Sequence, residues 1–226
     1  MADERIPLPS VRRFPSYLRI LMQRRDAGER HISATELARE LDLTPIQVRK
    51  DLASTGIEGR PKIGFAIEGL IVAITHSLGW DNAAEALIVG AGNLGSALAA
   101  YDGFSAYGLR IAALFDKDPE KIGRKVGSPT ILPVDTINQY IKSHRVTIAV
   151  IAVPANQAQA AADMLVKCGI RGIWNFAPMN LRVPDDVVMQ RTDLAASFAV
   201  LSIMLRRKYQ EETQGEEAPQ IPSAMS

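Results

Sequence analysis

The sequence predicts an α/β protein in which a small helical domain precedes a doubly wound parallel sheet. Three observations support this fold class. Residues 1–80 carry short helical patterns with capping residues, and from Ala86 onward short apolar runs rich in Val and Ile alternate with helical stretches. The turn after the first apolar run, residues 90–95, has the glycine spacing G-x-G-x-x-G.

The composition excludes several classes of protein. The 226 residues are 47% hydrophobic and 23% charged, ordinary values for a globular chain with one large or two small domains. Cys168 is the only cysteine, so no internal disulfide can form. The chain has neither a signal-peptide core nor an apolar run long enough for a membrane span. We therefore expect a soluble cytoplasmic protein without membrane contact.

The charge is unevenly distributed along the chain. The net charge is +1, yet basic residues outnumber acidic ones by 12 to 7 between Arg5 and Lys62. Such an excess suits a surface that binds a polyanion, and it equally suits a solvated face. Charge alone leaves both interpretations open.

Two adjacent helical patterns predict a helix-turn-helix motif. The first begins at Ser33 and has Glu36 three residues later, which is the spacing of a capping box. The second has Thr44 as its N-cap, Pro45 at the first helical position and Gln47 to complete a second box. The very short connection between the two helices is typical of this motif.

The segment after the second helix predicts a β-hairpin wing. Gly59, Pro61 and Gly64 divide it into two extended pieces around a basic tip formed by Arg60 and Lys62. Helices are predicted on both sides of the motif, over residues 16–28 and 69–78, and "GWDNAAE" is the predicted domain boundary.

The second half of the chain alternates strands and helices. Four apolar runs, "ALIVG", "RIAALFD", "TIAVIAV" and "GIWNF", lack the alternation of a half-exposed strand and suit parallel strands covered on both faces. Helical stretches lie between some of these runs, at residues 93–101, 136–143 and 156–167. The order favours a Rossmann-like domain.

The glycine-rich turn predicts a dinucleotide site. Gly90 permits the tight turn, Gly92 lets the backbone approach a pyrophosphate, and Gly95 lets helix and strand pack closely. Asp116, at the end of the next apolar run, is placed to accept hydrogen bonds from a ribose, which favours NAD(H) over NADP(H). The predicted cofactor-binding residues from the strand ends are Gly90, Ala91, Gly92, Asn93, Leu94, Gly95, Asp116, Lys117, Val153, Pro154, Asn175 and Phe176.

The predicted site lacks the groups that a dehydrogenase needs. A hydride-transferring enzyme requires a proton donor or acceptor beside the nicotinamide, and the three histidines are scattered along the chain. Metal-ligand spacings and the P-loop pattern are also absent from the sequence. We therefore predict no catalytic residue and no metal site, and expect a protein that binds the dinucleotide without reacting it.

The C-terminal segment predicts a long helix. "DLAASFAVLSIMLRRKY" is apolar around too much of its circumference to be solvated, so we expect it to pack on a second copy of the chain. From Gln210 onward the sequence is polar without periodicity and predicts a disordered tail.

These segments together resemble the redox-sensing repressor family Rex, from Ile6 to about Tyr209. The motifs that carry the resemblance are "ISATELARELDLTPIQVRKDL", "ALIVGAGNLGSALAAYDGF", "FDKDPEKIG", "IAVIAVPANQAQAAADML", "GIRGIWNFAP" and "TDLAASF". The resemblance implies a homodimeric repressor that binds operator double-stranded DNA with NAD⁺ or no ligand and leaves it when NADH binds. It also implies a winged-helix domain (1–80), a Rossmann domain (81–190), a domain-swapped C-terminal helix (191–209) and a tail (210–226).

The resemblance also implies roles for individual residues. Tyr101 would lie near the nicotinamide, and Arg19 with Asp193 would couple the DNA-binding and cofactor domains as an allosteric switch. Judged from the sequence alone, Arg19 also suits a solvated helix charge and Asp193 a helix cap. The predicted DNA-binding residues are Ser33, Thr44, Pro45, Gln47, Arg49, Lys50, Arg60 and Lys62.

The sequence departs from the family pattern around the recognition helix and the wing. Where the family usually has Ser-Tyr-Phe-Gly, this chain has Ala-Ser-Thr-Gly, with Ser54 and Thr55 in place of two aromatic residues. The wing carries Pro61 and Lys62 at its tip and ends in Phe65. The resemblance therefore does not extend to operator sequence or operator affinity. Two other classes compete with a repressor: an NAD-dependent oxidoreductase and a CoA-binding protein, neither of which explains the capped helices and the basic wing.

Overall fold

A computed structural model describes residues 6–81 and 84–216, with side chains up to Gln210. Its helices are α1 (Leu8–Asp26), α2 (Ala34–Glu40), α3 (Pro45–Ala53), α4 (Ile67–Ser77), α5 (Asn93–Ala99), α6 (Ile137–His144), α7 (Ala155–Lys167) and α8 (Leu194–Glu216). Its strands are β1 (His31–Ile32), β2 (Phe65–Ala66), β3 (Ala84–Val89), β4 (Leu109–Asp116), β5 (Ile131–Pro133), β6 (Ile148–Ile151), β7 (Gly172–Asn175) and β8 (Val188–Arg191).

The described residues form two compact units, each with its own apolar core. The first unit contains the chain up to Ala86 together with Ala100–Ala112, and the second contains Leu87–Ala99 and the chain from Ala113 onward. The first unit thus includes a stretch that the sequence analysis placed in the second domain. The ring of Tyr107 packs at a tilt against Trp80 with ring centroids 5.3 Å apart, which ties this stretch to the end of the helical region. Part of the predicted boundary, residues 82–83, lies outside the described residues.

Helices α1–α4 enclose the core of the first unit, which includes Phe14, Tyr17, Leu37, Leu52 and Leu70. All five side chains are fully buried. Leu18, Leu21 and Met22, which share one face of α1, lie in or against this core. The helix itself starts earlier than predicted, at Leu8 rather than near residue 16.

The capping predictions for α2 and α3 are confirmed in three of their four hydrogen bonds. The backbone N–H of Ser33 donates to Glu36 at 2.8 Å, and the backbone N–H of Glu36 donates to Ser33 Oγ at 3.1 Å. Thr44 Oγ1 accepts from the backbone N–H of Gln47 at 3.2 Å. The fourth bond, from the backbone N–H of Thr44 to the side chain of Gln47, was predicted wrongly. The Gln47 side chain donates to Asp51 at 3.1 Å instead. A buried carboxylate outcompetes a solvated backbone N–H for this amide.

The wing is a tight turn rather than a two-armed hairpin. Arg60 and Gly64 form an isolated antiparallel bridge around the tip. The second predicted arm, Phe65–Ala66, pairs with His31–Ile32 and not with the first arm. The hairpin prediction was therefore correct for the turn and wrong for the pairing, because a sequence pattern cannot show a strand as short as β1.

The strand order of the large sheet is β5-β4-β3-β6-β7-β8. The registers of β4 with β5, β6 with β7 and β7 with β8 are parallel. Renumbered from β3, this order is that of a doubly wound Rossmann sheet, which confirms the predicted fold class. The chain reverses direction across the sheet between β3 and β6, and in such sheets ligands bind at that switch point.

Helix α8 continues through Glu216, into the stretch predicted to be a disordered tail. Gln and Glu have high helix propensity, so a helix can continue through them without an apolar stripe. Residues 217–226 of the predicted tail lie outside the described residues. Among the helices that the structure describes, none is both long and apolar enough to cross a membrane. The exposed large apolar side chains of α8 are Leu194, Phe198, Val200, Leu201, Ile203, Met204, Leu205 and Tyr209.

Candidate functional site

A cleft of about 840 Å³ opens at the carboxyl ends of β3, β4 and β6, where a doubly wound sheet binds its ligand. All of its lining residues belong to the second unit. The lining combines the ends of three strands with one face of α7, and it comprises Val89, Gly90, Gly92, Phe115, Asp116, Lys117, Asp118, Lys121, Val134, Ala152, Val153, Pro154, Asn156, Gln157, Ala160, Ala161 and Met164.

The three glycines of the turn have distinct steric surroundings. Gly90 has φ 105°, and a Cβ there would lie 2.6 Å from the carbonyl oxygen of Ala152. A Cβ at Gly95 would overlap the carbonyl oxygen of Gly90, so only glycine lets α5 pack so closely against the turn. A Cβ at Gly92, in contrast, would meet nothing within 4 Å. Gly92 therefore borders open space in the cleft.

Asp116 is anchored at the end of β4 by backbone amides. Its Oδ2 accepts from the backbone N–H of Ala91 at 2.7 Å, and its Oδ1 accepts from the backbone N–H of Asp118 at 2.9 Å. Burial would raise the pKa of Asp116, but these amide bonds and the charge of Lys121 outweigh it and lower the pKa below its usual value. The carboxylate is thus ionised and oriented, and each oxygen can accept more than one hydrogen bond.

Lys121 is a residue of the cleft that sequence reasoning missed. Its Nζ lies 3.4 Å from Asp116 and 3.6 Å from Asp118, so it shares its charge between two carboxylates. The signal was a basic residue five positions after Asp116, in a loop that the sequence analysis did not assign. Lys117, which was predicted, is exposed at the rim.

The other predicted cofactor residues are placed in different ways. Val153 and Pro154 line the cleft, and Ala91 meets Asp116 through its backbone. Asn175 is fully buried, and its side-chain amide bonds to the backbone of Ala177 and Met179, so it shapes its own loop. Four further predicted residues do not line the cleft: Asn93, Leu94, Tyr101 and Phe176. Their contact with a cofactor stays a prediction.

The ionisable groups that line the cleft are not arranged for acid–base catalysis. They are Asp116, Asp118, Lys117 and Lys121, and three of the four form one ion-pair cluster. The lining described above contains no His, Cys or Tyr. Such a site can bind a dinucleotide through backbone amides, a carboxylate and apolar walls.

A second polar cluster lies in the first unit, between α1 and α3. Asp51 of α3 is buried, with 1% of its side chain exposed, and accepts from Arg13 Nε and Nη2, each at 2.7 Å. Tyr17 donates to it at 2.6 Å and Ser10 at 2.8 Å. With the bond from Gln47 this carboxylate receives donors from two helices, and we call the five residues the Asp51 cluster.

Hydrogen bonds keep the buried carboxylate of Asp51 ionised. Burial would raise the pKa of Asp51, but the hydrogen bonds from Arg13 and the other donors outweigh it and lower the pKa to about 2. Burial, followed by the bond to Asp51, raises the pKa of Tyr17 well above its usual value. The cluster is therefore an ionised, fully bonded link between α1 and the helix predicted to read DNA.

Apart from Gln47, whose side chain bonds to Asp51, the predicted DNA-binding residues are residues at helix starts and exposed charges. Ser33, Thr44 and Pro45 build the starts of α2 and α3. Arg49 and Lys50 on α3 are exposed. Arg60 and Lys62 are exposed at the wing, and Lys62 has a positive φ of 64° at its tip. The surface of α3 and the wing tip thus both carry positive charge, and their joint contact with DNA stays a prediction.

The predicted switch residues lie at the surface. Arg19 is exposed on α1. Asp193 caps α8, since its Oδ1 accepts from the backbone N–H of Ala195 at 3.0 Å, and its Oδ2 pairs with Arg191 at 2.7 Å. Tyr101 is 57% exposed and packs edge-on against Phe104 with centroids 5.0 Å apart.

Two family models match parts of the chain. Residues 5–53 match the model described as "Putative DNA-binding protein N-terminus", and residues 81–179 match "CoA binding domain". The first match covers α1–α3 and the second covers the strands of the cleft.

Curated relatives match almost the whole chain. A "Redox-sensing transcriptional repressor Rex" of Treponema denticola is 44% identical over 209 residues, which cover 92% of this chain and 100% of the relative. A protein of the same name from Clostridioides difficile is 38% identical over 206 residues, which cover 91% of this chain and 98% of the relative.

Solved structures agree with these relatives. The structure of RSP in complex with beta-NAD+ and operator DNA matches with a TM-score of 0.82 and 34% identity, covering 94% of this chain and 99% of that one. RSP is described as a Rex-family repressor. The structure of RSP with beta-NADH matches with a TM-score of 0.82 and 32% identity, covering 94% and 100% of the two chains.

Proposed function

Because this chain belongs to the Rex family of redox-sensing transcriptional repressors, we propose that it binds operator DNA as a repressor and that NADH releases it. The observation that carries the proposal is a dinucleotide cleft without acid–base groups, in the same chain as capped helices with exposed basic residues. The role is regulatory rather than enzymatic. As a regulator of transcription it acts in the cytoplasm, where the dinucleotide pool and the DNA are both present.

The residues of the cleft fit NAD(H) better than CoA. The open space at Gly92 and the close packing at Gly90 and Gly95 suit a pyrophosphate beside the turn. The ionised carboxylate of Asp116 suits the two hydroxyls of an adenosine ribose and repels a phosphate on that ribose. A phosphorylated ribose is what CoA and NADP(H) would bring there. When bound, the dinucleotide supplies the redox signal through its nicotinamide.

The repressor acts as a homodimer through α8. Eight large apolar side chains of this helix are exposed in one copy of the chain, which is costly unless a second copy covers them. The swapped arrangement expected for the family would also place α8 against its partner. A dimer presents two α3 helices, and these enter successive major grooves when they are roughly 34 Å apart.

NADH acts by favouring the state of the dimer that cannot hold this spacing. A ligand shifts such an equilibrium only by its different affinity for the two states, and couplings of about 1–3 kcal/mol are typical. Tyr101 senses the nicotinamide, and an ion pair between Arg19 of one subunit and Asp193 of the other changes with the state. Since Asp193 is also bonded to Arg191, that residue competes with Arg19 for the same carboxylate.

The function is tested by a gel shift on the DNA upstream of the protein's own gene. We expect a specific complex with NAD⁺ or without ligand, and its loss at saturating NADH. Equal affinity for DNA with and without NADH would remove the redox-sensing proposal. A parallel assay of NADH oxidation with the same protein separates a sensor, which leaves NADH unchanged, from an oxidoreductase.

A further inference from the structure

The outward face of α3 carries apolar as well as basic residues. Val48, Asp51 and Leu52 are buried and form the inward face of this helix. The exposed positions are Ile46, Arg49, Lys50 and Ala53, spaced i, i+3, i+4 and i+7, so they form one continuous stripe. Ile46 lies in the first turn of the helix and is 64% exposed.

The position of Ile46 has no explanation in the stability of the fold. It belongs to neither the core nor the partly buried shell of the first unit. A β-branched side chain also lowers helix propensity at an exposed site. Single exposed apolar residues are common on protein surfaces, so exposure alone carries no weight. What distinguishes Ile46 is that Arg49 and Lys50 follow it on the same face, where they attract a polyanion.

We propose that Ile46 packs against the 5-methyl group of a thymine in the major groove and thereby contributes to operator choice. This inference rests on the proposed DNA-binding function. Residues in the first turns of a recognition helix contact base edges, whereas basic residues on such a helix also contact phosphates. The thymine methyl is the apolar group that a base pair presents in the major groove, and aliphatic side chains recognise it.

The experiment removes one methyl group from the DNA and one side chain from the protein. The full-length wild-type protein first selects its preferred duplex from a random library. Each thymine of that duplex is then replaced in turn by deoxyuridine, in both half-sites, and Kd is measured by fluorescence anisotropy at constant salt. We expect one position at which the wild type loses about fourfold in affinity for each methyl removed. Ile46→Ala should bind the thymine and deoxyuridine duplexes equally at that position.

Val72→Ala is the matched control, because Val72 is an equally exposed β-branched residue, at 66%, on α4. It should keep the wild-type ratio between the two duplexes. Ile46→Ala should melt no lower than the wild type, because alanine has the higher helix propensity.

Two outcomes would overturn the inference while leaving the repressor function intact. One is a wild type indifferent to deoxyuridine at every position, and the other is an Ile46→Ala protein that keeps the wild-type loss. A protein that selects no preferred duplex would overturn the DNA-binding function, and with it this inference.

Discussion

The two units build their functional parts in opposite ways. In the second unit the turn of the cleft depends on the backbone. A Cβ at Gly90 or Gly95 would collide with a carbonyl oxygen, and backbone amides hold the carboxylate of Asp116. In the first unit, α3 is joined to α1 by side chains, through a buried carboxylate that accepts from Arg13 and Tyr17. A backbone site can be read from the spacing of a short motif, whereas a side-chain cluster is assembled from distant parts of the chain.

The largest expected effect tests the steric site. Gly95→Ala places a methyl group on the carbonyl oxygen of Gly90, so we expect the second unit to lose more than about 3 kcal/mol of unfolding free energy. NADH binding should be lost with it. Trp174 lies in β7 and reports this unit, so urea unfolding followed by its fluorescence in a Trp80→Phe background measures the change.

Gly92→Ala is the matched control for that substitution. Its methyl group meets no neighbour within 4 Å, so the loss of stability should stay below about 1 kcal/mol. NADH binding should still weaken by about tenfold or more, which corresponds to 1.4 kcal/mol. Equal losses of stability in the two variants would contradict the steric roles assigned to the glycines.

A loss of stability comparable to that of Gly95→Ala is expected when the Asp51 cluster is broken. Asp51→Ala leaves the donors of Arg13, Tyr17 and Ser10 without their acceptor, and breaking a buried pair in this way costs about 3–5 kcal/mol. The loss should be confined to the first unit, as measured by Trp80 fluorescence in a Trp174→Phe background. Operator affinity should fall while NADH affinity is unchanged. In Asp26→Ala, which removes a carboxylate with 68% of its side chain exposed, both quantities should stay near wild type.

The same cluster predicts how the first unit responds to acid. Because the folded pKa of Asp51 is lowered to about 2, its contribution to stability is complete above the unfolded value near 4. It is lost as the pH falls from about 4 towards 2, and it amounts to about 2 kcal/mol. Between pH 2 and pH 6, the unfolding free energy of the first unit should therefore depend more steeply on pH in the wild type than in Asp51→Asn. Parallel pH profiles for the two proteins would show that Asp51 does not titrate with folding.

The smallest expected effect concerns the wing. Lys62→Ala should weaken binding to every DNA sequence alike and reduce the slope of log K against log salt by about 0.9, the value for one phosphate contact. Lys62 already has φ 64°, so alanine adds no new backbone strain. Lys125→Ala, an exposed lysine of the second unit, serves as the control in the same salt titration. A loss confined to the operator would mean that Lys62 contacts bases instead.

The central strands could be predicted from the sequence, and the edge strands could not. The four predicted runs are β3, β4, β6 and β7, which lie inside the sheet. Both faces of such inner parallel strands are covered, so their composition is apolar. The two missed strands of the large sheet, β5 and β8, lie at its edges. β8 is mostly exposed and contains polar residues, so its pattern does not differ from that of a loop.

The candidate site divides in the same way. The glycines and Asp116 follow from motif spacing, and the structure places all of them at one turn. The Asp51 cluster was missed because its donors on α1 precede the acid by 34 to 41 residues. One signal was available: Asp51 adjoins Leu52 on the apolar face of α3, and an acid on a buried face requires partners.

The opposite faces of α3 have a consequence for how such a repressor evolves. The inward face tolerates few single substitutions, because a change at Asp51 leaves buried donors unsatisfied unless Ser10, Arg13 and Tyr17 change as well. The residues of the outward face are exposed and are not part of the Asp51 cluster, so they can be exchanged one at a time. A lineage can therefore move to a new operator by single substitutions there, while the positions of the Asp51 cluster are expected to covary among relatives.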